Sequence, residues 1–226
     1  MISSGGKNLW YVRTPLSIGG VQITTQMTII KHIENRLMLI SPVAITPDLK
    51  QEILNIGDVE WIIAPNNFHH MFISSALDAF PNATLLCPEG LPKKLKYLPD
   101  EKTFNLDKHK QWGEDVISLR LHPGGVVDEY VFYHSPSNTL VLTDMLILLE
   151  KNINTATWVF AFLMGLNSEK PNMSRMMKLL YRDKNKLRES FNTIMNWDFQ
   201  RIQLAHSRNI EKNAKELFKE AVSFLI

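Results

Sequence analysis

A single cysteine, Cys87, stands in a chain of 226 residues. One thiol closes no intrachain disulfide and builds no thiolate zinc cluster, so a reducing, cytoplasmic setting is expected. Long apolar runs are missing too: none reaches the roughly 18 residues of a membrane-spanning helix. Met1 to Gly6 lacks the basic stretch and following apolar run of a secretory signal. Excess charge of either sign is also absent. With 25 Lys and Arg against 23 Asp and Glu, the formal net charge is +2. A charge-driven nucleic-acid binder gathers its basic residues on one face, so nucleic acid is not expected as a partner. Glycine (10) and proline (11) are too few for long disordered stretches, and no linker, internal repeat or low-complexity segment divides the chain. What is present is an ordinary globular composition, 45% hydrophobic and 21% charged, in a length that buries a sizeable core. Residues 1–226 are read as one domain.

Strand and helix alternate in the first half. The β-branched run Val21 to Ile30 and the run Arg36 to Ile40 read as a hairpin turning at Glu34-Asn35. Thr46-Pro47-Asp48 starts a helix: a capping hydroxyl, proline at the first helical position, an acid in the first turn. Val59 to Ala64 is a short buried strand, and Phe72, Ile73, Ala76, Leu77 and Phe80 share one face of the helix that follows. Ala83 to Cys87 is again a strand. Further strands are expected at Val116–Leu121, Glu129–His134 and Thr139–Thr143, with a tight turn at Pro136-Ser137-Asn138. Met145 to Phe199 reads as mostly helical, Arg201 to Ala205 as a last strand, and Ala214 to Leu225 as an amphipathic helix. The pattern predicts an α/β fold, with sheets covered by helices on the outside.

Four polar features stand just past predicted strand ends, where a rigid sheet fixes the position of binding groups. Pro65-Asn66-Asn67-Phe68-His69-His70 follows the Val59 strand. In a loop turning into a helix, both imidazoles can converge on one ion; otherwise one caps the helix and the other packs on the core. Asp144 closes the Thr139 strand and is either a ligand or a helix N-cap. His206 ends the Arg201 strand and is either a ligand or a satisfied, partly buried histidine. His122-Pro123-Gly124-Gly125 is a turn in which the glycines most simply supply special backbone angles.

Taken in order, these features resemble the metallo-β-lactamase superfamily. That family carries a strand, then His-x-His-x-Asp-His, then a Gly-His loop, a strand ending in Gly-Asp, and a final strand ending in His. The resemblance runs from the Val21 hairpin to the last helix. It is most similar to an uncharacterised branch with Pro-Asn-x-x-His-His, Ser-x-Thr-Leu-x-Leu-Thr-Asp and a terminal His. It implies an αββα sandwich with a helical insertion at about residues 145–199. The first metal position is depleted, because Pro65, Asn67 and Gly125 stand where the family has histidines. Every position of the second still carries a donor: His69 in place of Asp, then His70, Asp144, with Thr143 replacing the usual Gly, and His206. Three imidazoles and a carboxylate would suit one divalent ion (Zn²⁺, Fe²⁺ or Mn²⁺), and three protein ligands with an open position suffice for catalysis.

Two functions compete. The first is a single-metal hydrolase using metal-activated water on an unidentified small molecule, with Asp144 at the metal and Asn67 donating a hydrogen bond to a polarised oxygen. The second is a non-catalytic binding or scaffold module that kept the fold and lost the metal chemistry. Two other stretches need a role. Thr155 to Leu166 is apolar almost all round, and reads as a core helix, a lid over the site or a homodimer contact. Trp158, Phe160 and Phe162 should all find cover there. Arg175 to Arg188 is a basic amphipathic stretch whose charge is diluted by Asp183, and reads as a solvated face.

Overall fold

The computed structural model describes residues 1–95, 98, 103–108, 112–121, 126–206 and 208–225. Its first sheet has seven strands in sequence order: β1 (Ser3–Gly6), β2 (Leu9–Ile18), β3 (Val21–Lys31), β4 (Arg36–Ile40), β5 (Asp58–Ile63), β6 (Thr84–Cys87) and β7 (Thr103–Asn105). Strands β1 to β4 are antiparallel, and β4 to β7 run parallel. The second sheet has four: β8 (Val116–Arg120), β9 (Tyr130–His134), β10 (Thr139–Leu142) and β11 (Arg201–Leu204), in the order β11-β10-β9-β8. Within it only β10 and β11 are parallel.

Alternation along these strands builds three separate apolar layers. In β4, Leu37 and Leu39 face α1 (Pro47–Leu54), α2 (Ile73–Ala79) and α3 (Gly90–Lys94), while Met38 and Ile40 face the second sheet. In β9, Tyr130 and Phe132 meet the first sheet across the middle layer, while Val131 and Tyr133 turn to the far side. That far side packs against α5 (Arg175–Leu180), α6 (Lys184–Met195) and α7 (Ala214–Val222), through Met177, Phe191 and Phe218. Helices, sheet, sheet and helices therefore stack as the expected αββα sandwich.

The longest antiparallel pair is β2–β3, joined at Gly19-Gly20, both at positive φ, and paired from Leu9↔Ile30 to Ile18↔Val21. The β3–β4 hairpin expected from the sequence is also present. Pro15 sits in β2 beyond the reach of β1, whose pairing stops at Tyr11, so its missing N–H breaks no ladder.

The stretch Met145–Phe199 is less helical than its sequence suggests. Residues 145–154 run without a helix, and Ile147 pairs with Asn172 in an isolated bridge. The basic stretch also divides, because Asp183 caps α6 by accepting from the Asn185 and Lys186 N–H groups. The apolar helix α4 (Thr155–Met164) starts on its N-cap Asn154 and ends at Gly165 in the left-handed region. Its inner face, Phe160, Ala161 and Met164, packs on Leu149 and Leu166. Full cover for its aromatics is not what the fold provides: Trp158 is 58% and Phe162 65% exposed, stacked on each other on the outer face. A single short helix has one face to bury, and this one is apolar on both.

Candidate metal centre

Four strand ends meet at one edge of the sandwich. Ser41 follows β4, the Ala64–His70 loop follows β5, Asp144 follows β10 and His206 follows β11. Each is at the C-terminal end of a member of a parallel pair, β4 with β5 and β10 with β11. Side chains from both sheets are thereby brought together.

Three of the residues singled out in the sequence converge: His69, Asp144 and His206 each offer a ligating atom within 4.8 Å of the others. The Nε2 atoms of His69 and His206 are 3.1 Å apart. His69 Nε2 lies 3.3 Å from Asp144 Oδ2, and His206 Nε2 lies 3.4 Å from Asp144 Oδ1. Donors bound at about 2.0–2.1 Å around a tetrahedral zinc stand about 3.3 Å apart. Each nearest approach is close to that edge length, although His69 and His206 face different oxygens of Asp144, so the three residues stand close enough to share one ion with an open position.

The outer ring nitrogens strengthen the fit. His206 Nδ1 is 3.2 Å from the Thr24 carbonyl, which only accepts, so Nδ1 carries a proton and Nε2 is the atom turned into the centre. His69 Nδ1 is 2.6 Å from Ser41 Oγ, which holds that ring in turn. Ser41 itself sits at φ +57°, a conformation uncommon outside glycine and asparagine. Charge is balanced inside the group. Burial opposes ionisation of Asp144, but the two imidazoles outweigh it and hold its carboxyl well below the usual range. Burial likewise pulls His206 down, and the Asp144 hydrogen bond and charge raise it above an ordinary imidazole.

Asn66 ties the His69 loop to Asp144. Its Nδ2 donates to Asp144 Oδ2 at 2.7 Å and to Thr143 Oγ1 at 3.2 Å, while its Oδ1 accepts from the Phe68 and His69 N–H groups. The side chain is fully buried and uses two donors and two acceptances. Glu129 does the same for the other side: buried, it accepts from the Thr143 and Met145 N–H groups, the Thr143 hydroxyl and the Tyr181 hydroxyl. Burial and the Asp144 charge push the Glu129 carboxyl up to about 7.

Sequence reasoning placed Asn67 and His70 at this centre as well, and the structure seats both elsewhere. Asn67 Nδ2 donates to the Val126 carbonyl at 3.1 Å, and the Asn67 carbonyl accepts from Lys94 Nζ at 3.0 Å. His70 is outside the converging group; its pKa is lowered by burial and then by the Lys94 charge. The turn fastened by Asn66 holds His69 among the converging donors. The His122–Gly125 turn lies outside the described residues. Asn66, Ser41, Thr24 and Glu129 were missed. For Asn66 a signal existed, since an Asn two and three residues before the N–H groups it caps is an Asx-turn pattern.

The centre opens into a cleft of two lobes. One, of about 190 Å³, lies between the β2–β3 hairpin and the Ser41 and Phe68 loops. The other, of about 280 Å³, runs under α4 and is almost wholly apolar. Asp144, His206, Phe68 and Ile23 line both.

Comparison with known proteins places the chain. A family model described as "Domain of unknown function (DUF4336)" matches residues 6–178. The chain belongs to that family. No curated protein matches it. Solved structures share the architecture along the whole chain. A metallo-β-lactamase from Pontibacter korlensis is 13% identical with a TM-score of 0.65, over 100% of this chain and 98% of that one. The metallo-β-lactamase FIM-1 from Pseudomonas aeruginosa, in a mono-zinc form, is 11% identical with a TM-score of 0.65, over 100% and 94%. The metal-soaked Flv1 flavodiiron core from Synechocystis sp. PCC6803 is 12% identical with a TM-score of 0.66, over 100% of this chain and 60% of that one. At these identities the likeness concerns the fold, which in this DUF4336 chain is the metallo-β-lactamase fold. No helix among the described residues is long and apolar enough to cross a membrane.

Proposed function

We propose that this DUF4336 chain is a single-metal hydrolase acting on a small molecule, with His69, Asp144 and His206 as ligands. The observation that carries it is the convergence of the three side chains, whose nearest donor atoms approach to 3.1, 3.3 and 3.4 Å and which each offer a ligating atom within 4.8 Å of the others. A divalent zinc, iron or manganese ion bound there supplies a Lewis acid that activates water near neutral pH. The chain's own residues prepare the place. Asp144 stays ionised and contributes the negative charge that a cation needs. Thr24 and Ser41 fix the two rings, leaving Nε2 of each toward the centre. The apolar walls of the cleft limit bulk water, and charges interact more strongly where water is excluded. Asn67 has no part in this reading, because its amide is engaged by Val126.

Elemental analysis of protein purified without a chelating tag, before and after reconstitution with each ion, tests it. One ion per chain, lost on His206→Ala, is the expected result. An unloaded protein after reconstitution overturns the metal-centre reading and leaves the non-catalytic binding module in its place.

A further inference from the structure

The lobe under α4 has a chemistry of its own. Its walls are Ile147, Leu149, Phe160, Met164, Leu166 and Met177, with Met176 at the rim. The polar residues among its described lining are Asp144, His206 and Ser174. Ser174 is already used as an acceptor, its hydroxyl accepting from the Met177 N–H as the cap of α5. The polar groups left for a ligand are therefore those at the Asp144 and His206 end and the O–H of Ser174. No Lys or Arg stands among the described residues lining either lobe, and the Asp144 carboxylate lies at the polar end, so in the metal-free protein a carboxylate or phosphate there would face a like charge.

The lobe is a built space rather than a packing gap, because its roof is fastened at both ends. At the start of α4, the Thr157 hydroxyl accepts from the Gln22 N–H at 2.8 Å and donates to the Gln22 carbonyl at 3.0 Å. Asn154 Nδ2 donates to the Gly20 carbonyl. At its end, Arg175 donates to the Phe162 and Leu163 carbonyls, and Asn172 to that of Gly165. Thioether side chains adapt to flexible apolar ligands, and a volume of about 280 Å³ lies near the small end of ligand pockets.

We infer that this lobe binds the alkyl or acyl chain of an uncharged substrate, with the polar head of that molecule at His69, Asp144 and His206. The role of the head group rests on the metal-centre reading; binding of the chain does not.

The test uses the full-length protein dialysed against a chelator, titrated with 1-butanol, 1-hexanol, 1-octanol and 1-decanol. Methionine-methyl NMR reports the site. Affinity should rise about fourfold per added methylene until the lobe is full, with the Met164 and Met177 resonances shifting together. Octanoate should bind at least tenfold more weakly than 1-octanol. Met176→Lys, at the exposed rim, should weaken 1-octanol at least tenfold, and Phe162→Ser, on the outer face of α4, should leave it unchanged. Affinity independent of chain length, unshifted Met164 and Met177, or octanoate binding as well as octanol would overturn the inference. Metal binding without chain-length dependence sinks this proposal alone; chain-length dependence in a protein that takes up no metal sinks the metal centre alone.

Discussion

The Nε2 atoms of His69 and His206 stand 3.1 Å apart, although 137 residues separate them in the chain. Each ring is turned by its other nitrogen, His206 by the Thr24 carbonyl and His69 by the Ser41 hydroxyl. The Ser41 hydroxyl can donate to His69 Nδ1 or accept from it, and a shared proton or a metal ion between the two Nε2 atoms suits the pair. Asp144, 3.3 and 3.4 Å away, favours either.

Ligand removal should therefore be selective among the histidines. His69→Ala and His206→Ala are each expected to lower metal affinity by more than about 100-fold, beyond what loss of an outer-shell partner costs. His70→Ala should stay within about threefold of the parent, since His70 is outside the converging group. Competition against a chromophoric chelator measures all three. A His70 variant as weak as the other two would restore the four-ligand expectation of the sequence.

Ser41 permits a finer test. Ser41→Gly keeps the φ of +57° at lower cost than the native side chain and removes the hydroxyl 2.6 Å from His69 Nδ1. The variant should fold with unchanged or slightly higher melting temperature and lose about 10–100-fold in metal affinity. Unaltered affinity would mean that the Ser41 contact does not orient the ring.

The sandwich was largely legible because its central strands are short apolar runs bounded by turn residues, as in Val59–Ala64 and Thr139–Thr143. Strand β2 was not. Pro15 interrupts it, and only its place beyond β1 makes that proline harmless; the Gly19-Gly20 turn was the available signal. Site residues followed the same division. His69, Asp144 and His206 could be found because each is a polar side chain closing or following a strand. Choosing between His69 and His70, or Asn66 and Asn67, requires the direction of one turn, which spacing alone does not carry. Glu129 and Ser41 act through groups distant in sequence, and a lone carboxylate or hydroxyl has no pattern.

Asn66 should prove structural and functional together. Asn66→Ala removes the amide that joins Asp144, Thr143 and the N–H groups of Phe68 and His69. Two buried or half-buried N–H groups lose their acceptor, and the expected loss in urea unfolding is about 2–3 kcal/mol. Asn66→Asp keeps the acceptor but sets a second carboxylate beside Asp144, so its deficit should be larger at neutral pH than at pH 4. Equal deficits at both pH values would remove the Asp144 contact from the account.

His134 predicts a pH dependence remote from the candidate centre. It is fully buried, and burial lowers its pKa from 6.5 to about 4, against a smaller opposing pull from Asp115. The unfolded chain therefore binds a proton between pH 6.5 and 4 that the folded chain refuses. Its contribution to stability is complete above pH 6.5 and is lost as pH falls toward 4. His134→Gln should flatten that part of the stability curve relative to the parent. Parallel curves for the two proteins, from urea midpoints at several pH values, would mean that His134 is protonated in the native state.

Helix α4 separates burial from attachment within ten residues. Trp158 and Phe162 lie on its exposed face and stack on each other at 5.9 Å, so the double substitution Trp158→Ser and Phe162→Ser removes little buried area. Its unfolding free energy should fall within about 0.5 kcal/mol of the parent, the range of ordinary surface changes. Thr157, the residue before Trp158, is wholly buried, and its hydroxyl is bonded to both the N–H and the carbonyl of Gln22. Thr157→Val keeps the shape and strands both backbone groups, at an expected cost of about 2 kcal/mol or more. Hydrogen exchange should then speed up in α4 and at Gly20–Gln22 together, because the hydroxyl makes two of the bonds, beside that of Asn154 to Gly20, that couple the helix to the hairpin. If the double serine variant is the destabilised one and Thr157→Val is neutral, α4 is held by its aromatic face against a second subunit, and the hairpin clasp is incidental.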